Sequence, residues 1–153
     1  MGFRLSPEAR EYFDEVQSES TTGEFGSIWD SYYLSAMMGI KARERVPEDD
    51  EPGTEPFIDH VISRYDDQKY EIYGAMIMAE IERGAIPAED HSEIRQLMLS
   101  ILDSTDPSRL SEYGQRLLNC YAERGYQILS RQVLKPPNLD QFLIEYKAAL
   151  DAA

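Results

Sequence analysis

An all-α fold, a compact single-domain bundle of about six or seven helices, is what this chain of 153 residues predicts. Three observations carry that expectation. Apolar residues recur at helical spacing, as Ile94, Leu97, Met98 and Ile101 do at i, i+3, i+4 and i+7. Residues that start and stop helices bracket those segments. No two-residue hairpin signal and no run of alternating strand residues interrupts them.

Ser6-Pro7-Glu8 opens the first helix with a serine cap, proline at the first helical position and an acid in the first turn. It runs to about residue 17, with Phe13 and Val16 on one side. SESTTGEFGS, residues 18–27, is small and polar and reads as a loop. Ser27 caps a second helix over 28–45, with Phe25 as a hydrophobic staple partner. PEDDEPGTEP, residues 47–56, holds three prolines, a glycine and five acids. It reads as a solvated loop or mobile linker inside one domain spanning 1–153. Pro56 then opens a third helical region, FIDHVISRY over 57–65 and DDQKYEIYGAMIMAEIERG over 66–84, stopped by Gly84. Asp90 caps a helix reaching residue 102, and DSTDPS makes a turn. A long helix follows over 109–133, with Gly125 as a kink point and Lys135-Pro136-Pro137 as its end. Asn138 and Gln141 form a capping box for a last helix over 139–150.

Acidic residues number 29 against 15 Lys plus Arg, a formal charge of −14, and only four of the cations are lysines. Three explanations stand side by side: adaptation to high salt, as in cytoplasmic proteins of salt-loving archaea, which this composition resembles; an acidic domain with a basic partner; and a surface imitating a nucleic-acid backbone. Charge of this kind bears on solubility and association rather than on fold. A single cysteine, Cys120, excludes an intramolecular disulfide and fits a reducing, cytoplasmic setting. MGFRLSPEAREYF contains no apolar run of signal-peptide length, and no window has the roughly 18 consecutive apolar residues of a membrane span. No membrane association is therefore expected.

The sequence assigns no catalytic residue, no cofactor-binding residue and no metal ligand. His60 and His91 lack the HExxH spacing that places two imidazoles on one helical face. Cys120 lies mid-helix, far from a helix N-terminus that would favour a thiolate, and reads as core. The glycines form neither a phosphate loop nor a nucleophile elbow. Asp140, Glu145 and Lys147 echo part of a nuclease site, but on a helix where such sites use strands. Glu80, Glu82 and Glu93 supply carboxylates for a metal-dependent hydrolase, the least favoured reading.

The helix over 28–45 carries a stripe of small residues, Ser31, Ser35 and Gly39, that lets another helix approach closely. Trp29, Tyr33, Ala36, Met37 and Ile40 make the rest of it apolar, so it is predicted to be buried. Tyr70 to Ala79 repeats the pattern around Gly74, which predicts a crossing of these two helices near Gly39 and Gly74. Its basic end, Lys41, Arg43 and Arg45, either complements the helix dipole and the acidic loop after it or forms a small anion- or nucleic-acid-contacting patch.

FGSIWDSYYLSAMMGIKARE, with its aromatic-Asp-x-Tyr-Tyr-Leu run followed by Met-x-Gly-Ile, resembles a segment of small accessory proteins of prokaryotic DNA-modification and defence systems, notably DNA phosphorothioation. FRLSPEAREYF is similar to the start of such proteins. The resemblance covers about 35 residues and implies a non-enzymatic component beside larger enzymes acting on DNA; it carries over no catalytic residue. The expectation is thus a helical accessory or adaptor subunit that works through protein–protein contacts, with an unidentified protein partner. The alternatives are direct nucleic-acid contact through Lys41, Arg43 and Arg45, and a carboxylate-metal hydrolase.

Overall fold

The computed structural model describes residues 2–18, 27–134 and 138–153. Among them the chain forms six α-helices and no sheet: α1 Pro7–Ser18, α2 Ile28–Ala42, α3 Gln68–Arg83, α4 His91–Ile101, α5 Glu112–Gln132 and α6 Leu139–Ala152. The all-α fold is as the sequence predicts. Short 3₁₀ turns lie at Glu48–Asp50 and Ser63–Tyr65. The loop over 19–26 with its Phe25 staple, and the stop at Lys135, Pro136 and Pro137, fall outside the described residues.

Several helix ends are set by the capping residues. The Ser6 hydroxyl accepts from Ala9 N at 3.2 Å, Asp90 from Glu93 N at 3.2 Å and Asn138 from Gln141 N at 2.8 Å. Each satisfies an amide that a helix start would leave without a partner. α5 starts at Glu112, three residues later than the spacing suggests, and is capped by Ser111, whose hydroxyl accepts from Gly114 N at 3.0 Å.

The centre of the molecule is the antiparallel crossing of α2 and α5. A Cβ on Gly125 would sit 1.6 Å from the Ser35 carbonyl oxygen, and one on Gly39 would sit 2.1 Å from that of Tyr121. The two backbones therefore touch, and only glycine fits at either position. Ser31 and Ser35 are buried in this stripe. The close crossing predicted from Gly39 exists, but its partner is Gly125 of α5. Gly74 is exposed on α3 with nothing within 4 Å of a Cβ added to it. Gly125 is thus a contact point inside a continuous helix rather than a kink.

Because α2 is apolar nearly all round, it joins two cores. On one side Trp29, Tyr32, Ala36 and Ile40 pack with Phe3, Ile72, Met76, Ile101, Leu117 and Tyr121. On the other, Met38 packs with Phe13, Val16, Leu129, Phe142 and Tyr146 from α1, α5 and α6. Burial of Cys120 among these elements pushes its thiol up to about 12, so it stays protonated.

Three sequence expectations are corrected. Residues 57–65 do not form a helix, although their apolar positions have helical spacing. Phe3 N donates to Ile58 O at 2.8 Å and Phe57 N to Phe3 O at 2.9 Å, so these groups are spent on the N-terminal segment. The rings of Phe57 and Tyr65 then close on Trp29, with centroids 5.8 Å away in each case. α2 stops at Ala42 rather than at residue 45. Arg43 adopts a left-handed conformation (φ 59°), and Glu44 N returns to Gly39 O at 3.0 Å while Arg43 N bonds Ile40 O at 3.0 Å, a Schellman closure without glycine. The acidic segment over 47–56 is anchored. Its Glu51 accepts from the buried Asn119 amide at 2.8 Å, Pro52 is buried, and Thr54 donates to Leu5 O at 3.3 Å. Asn119 also accepts from Arg4 N and the Tyr32 hydroxyl and donates to Gly2 O, so every hydrogen-bonding site of its amide is used.

The two kinds of glycine predict opposite responses to one substitution. Gly125→Ala forces the backbones apart and costs about 3 kcal/mol, the upper range of overpacking. Gly74→Ala, on an open helix surface, adds about 0.5–1 kcal/mol. Denaturant unfolding of both variants measures this; a harmless Gly125→Ala would contradict the crossing.

Candidate functional site

The basic end of α2 is mostly consumed inside the molecule. Arg43 Nε lies 2.5 Å from Glu82 Oε2, and its Nη1 donates to Ile40 O at 2.7 Å. Arg45 grips Glu80 with two bonds, 3.0 Å from Nε and 3.2 Å from Nη2. Glu80 also accepts from the Tyr121 hydroxyl at 2.5 Å and lies 3.5 Å from Arg83 Nε. Burial and that hydrogen bond raise the Tyr121 phenol far above its ordinary value. The two arginines therefore face acids of α3 rather than the acidic segment that follows them. Lys41 alone of the three is exposed. The three cations do not make one free positive surface.

Other titratable groups singled out by the sequence are dispersed. His60 Nδ1 lies 2.8 Å from Asp59 Oδ1 on the surface. Lys147 pairs with Asp151 at 2.9 Å. Glu80 and Glu82 are held by arginines as described. Among the described residues, no three His, Cys, Asp or Glu side chains are grouped so as to hold a metal ion.

A different feature stands out: an apolar groove of about 320 Å³ on the outer face of α4. The helix is amphipathic, but its apolar residues exceed what one face can bury. Ile101 is buried and Leu97 packs against the main core. Met98 and Leu99 are left 41% and 63% exposed, and with Ile94, Leu102 and Pro107 they line the groove. The far wall is the turn between α4 and α5, fixed by two aspartates. Asp103 Oδ1 accepts from Thr105 N at 2.8 Å and Thr105 Oγ1 at 2.7 Å, and Asp106 Oδ1 accepts from Ser108 N at 3.1 Å and Ser108 Oγ at 2.6 Å. These donors hold both carboxyls below the usual carboxylate range, and Asp103 brings a negative charge to the groove wall. Asp103 N to Arg109 O at 2.9 Å and Ser111 N to Ile101 O at 2.8 Å close the turn onto the helix. The groove is thus preformed, with Arg95 and His91 as its other polar lining.

Sequence reasoning missed this surface because it read Ile94, Leu97, Met98 and Ile101 only as one stripe of helical spacing. The available signal was the run Leu97-Met98-Leu99: three consecutive apolar residues span about 200° of a helix, more than one neighbour covers.

The ion pairs at the end of α2 predict unequal effects. Arg45→Gln removes two charge-assisted hydrogen bonds from a carboxylate that is only 9% exposed and costs about 2 kcal/mol. Arg43→Gln, at an exposed pair, leaves the melting temperature nearly unchanged. Thermal unfolding of the two variants checks the order; the reverse order would contradict the arrangement around Glu80.

Against known proteins, no family model matches the chain, and no curated protein and no solved structure matches it.

Proposed function

We propose that the protein is a non-enzymatic helical accessory subunit that acts through protein–protein contact, and that the α4 groove receives the partner. The observation that carries this reading is the preformed apolar groove with Met98 and Leu99 exposed on a chain of net charge −14. Exposed apolar surface rimmed by polar groups marks interaction sites. A groove along a helix suits an amphipathic helix laid into it. Asp103 in the groove wall favours an occupant with basic residues flanking its apolar face.

The wider setting rests on the sequence. The excess of acids and shortage of lysines support a salt-adapted cytoplasm. The segment around Trp29 to Glu44, similar to accessory proteins of DNA phosphorothioation systems, supports a place beside DNA-modifying or defence enzymes. With Arg43 and Arg45 bound to Glu82 and Glu80, contact with a partner protein is favoured over direct contact with DNA.

Fluorescence anisotropy with two designed amphipathic helical peptides tests the reading. They share one leucine-rich face and differ in a lysine-rich or a glutamate-rich polar face. The basic peptide binds saturably and the acidic one does not. Leu99→Asp abolishes binding with an unchanged melting temperature, because Leu99 is 63% exposed. Equal binding of both peptides, binding of neither, or indifference to Leu99→Asp would each reject the groove as the contact face.

A further inference from the structure

The polar lining of the α4 groove is divided along its length. His91 and Arg95 stand on the helix, and Asp103 lies just past its end. Arg95 is exposed and, among the described residues, makes no ion pair. The cause is local. Its helix neighbours at three and four residues' distance are His91, Ser92, Met98 and Leu99, none of them acidic. Lys69, Arg83 and Lys147 each find an acid at that spacing, Asp66, Glu80 and Asp151. Asp103 also has bonding capacity left. Among the described residues its hydrogen bonds, from Thr105 N, Thr105 Oγ1 and Asp106 N, all fall on Oδ1, which leaves Oδ2 open to a cation.

These two charges stand at equal distance on either side of Leu99, which is 63% exposed. They are about 12 Å apart along the helix direction, by a rise of 1.5 Å per residue. Half a turn about an axis through Leu99 exchanges the two positions. We infer that the groove is filled by the α4 helix of a second copy of this chain, packed antiparallel about that axis. Arg95 of each copy then meets Asp103 of the other, Leu99 packs on its counterpart, and the exposed Met98 side chains leave water. The inference rests on the groove being a contact face, as proposed above, and names its occupant: Arg95 is the basic residue beside an apolar face that Asp103 calls for. Charge complementarity carries it. A surface that holds both signs at equal distance from one centre is complementary to itself, as a two-fold interface requires. The net charge of −14 on each copy opposes association. Salt therefore tightens the dimer, because screening reaches about 3 Å at roughly 1 M and removes long-range repulsion before it removes pairs in contact.

Sedimentation equilibrium of the full chain, in low salt and in molar salt, tests this. A monomer–dimer equilibrium is expected, tighter in molar salt. Arg95→Glu alone and Asp103→Arg alone each weaken it about tenfold, because each sets like charges together at both contacts. An equimolar mixture of these two variants regains the original affinity, since each chain then offers the other the opposite charge at both contacts. That regain also separates lost pairing from damage to the turn that Asp103 holds. Leu99→Asp abolishes the dimer with an unchanged melting temperature. A monomer at every concentration in both salts, a mixture no tighter than either variant alone, or a dimer indifferent to Leu99→Asp overturns the inference. A monomer that still binds the basic helical peptide removes the second copy and leaves the groove as a contact face; a monomer that binds neither peptide removes both.

Discussion

The backbone contact between α2 and α5 is the constraint on which the rest of the molecule depends. With Gly39 against the Tyr121 carbonyl and Gly125 against that of Ser35, two helices lie closer than any pair bearing side chains at those points could. That closeness lets α2 present apolar residues to both sides, so one helix organises two cores. It also fixes the register from which other connections hang. Val46 N reaches Cys120 O at 3.2 Å, Arg124 reaches Glu44 at 2.8 Å, and Asn119 gathers the N-terminal segment, Tyr32 and Glu51. A helix pair spaced by larger side chains would break these together.

Electrostatics follows from the same arrangement. The chain has few cations, and among the described residues six arginines pair with its own carboxylates: Arg45 and Arg83 with Glu80, Arg43 with Glu82, Arg64 with Asp30, Arg116 with Glu51 and Arg124 with Glu44. These pairs staple loops to helices rather than present a positive face. What the molecule offers to its surroundings is therefore an acidic surface interrupted by exposed apolar residues on α3, α4 and α6. In the high-salt setting proposed above, long-range attraction would be screened to a few ångströms, leaving recognition to shape and apolar contact.

The parts legible in the sequence are those with local causes. The starts of α1, α4 and α6 follow from Ser6, Asp90 and Asn138, whose side chains bond amides three residues on. The buried character of α2 follows from its residues alone. What was not legible depends on distant partners. Residues 57–65 have a helical pattern, but Phe3 claims their backbone. Arg43 ends α2 in a conformation usually given to glycine, held by contacts to Ile40 and Glu82 that no local rule anticipates. Gly39 announced a close crossing, yet nothing local distinguished Gly125 from Gly74 as its partner. Of the candidate sites, the basic end of α2 could be seen in the sequence but not the acids of α3 that occupy two of its three charges. The α4 groove was visible only as one apolar residue too many.

Native-state hydrogen exchange tests the dependence on the α2–α5 crossing most directly. Amides of α2 over residues 35–40 and of α5 over residues 117–125 should exchange together, and only through global unfolding, while those of α4 and α6 exchange earlier through local opening. Exchange of the α2 or α5 amides before those of α4 or α6 would contradict the central role of that contact.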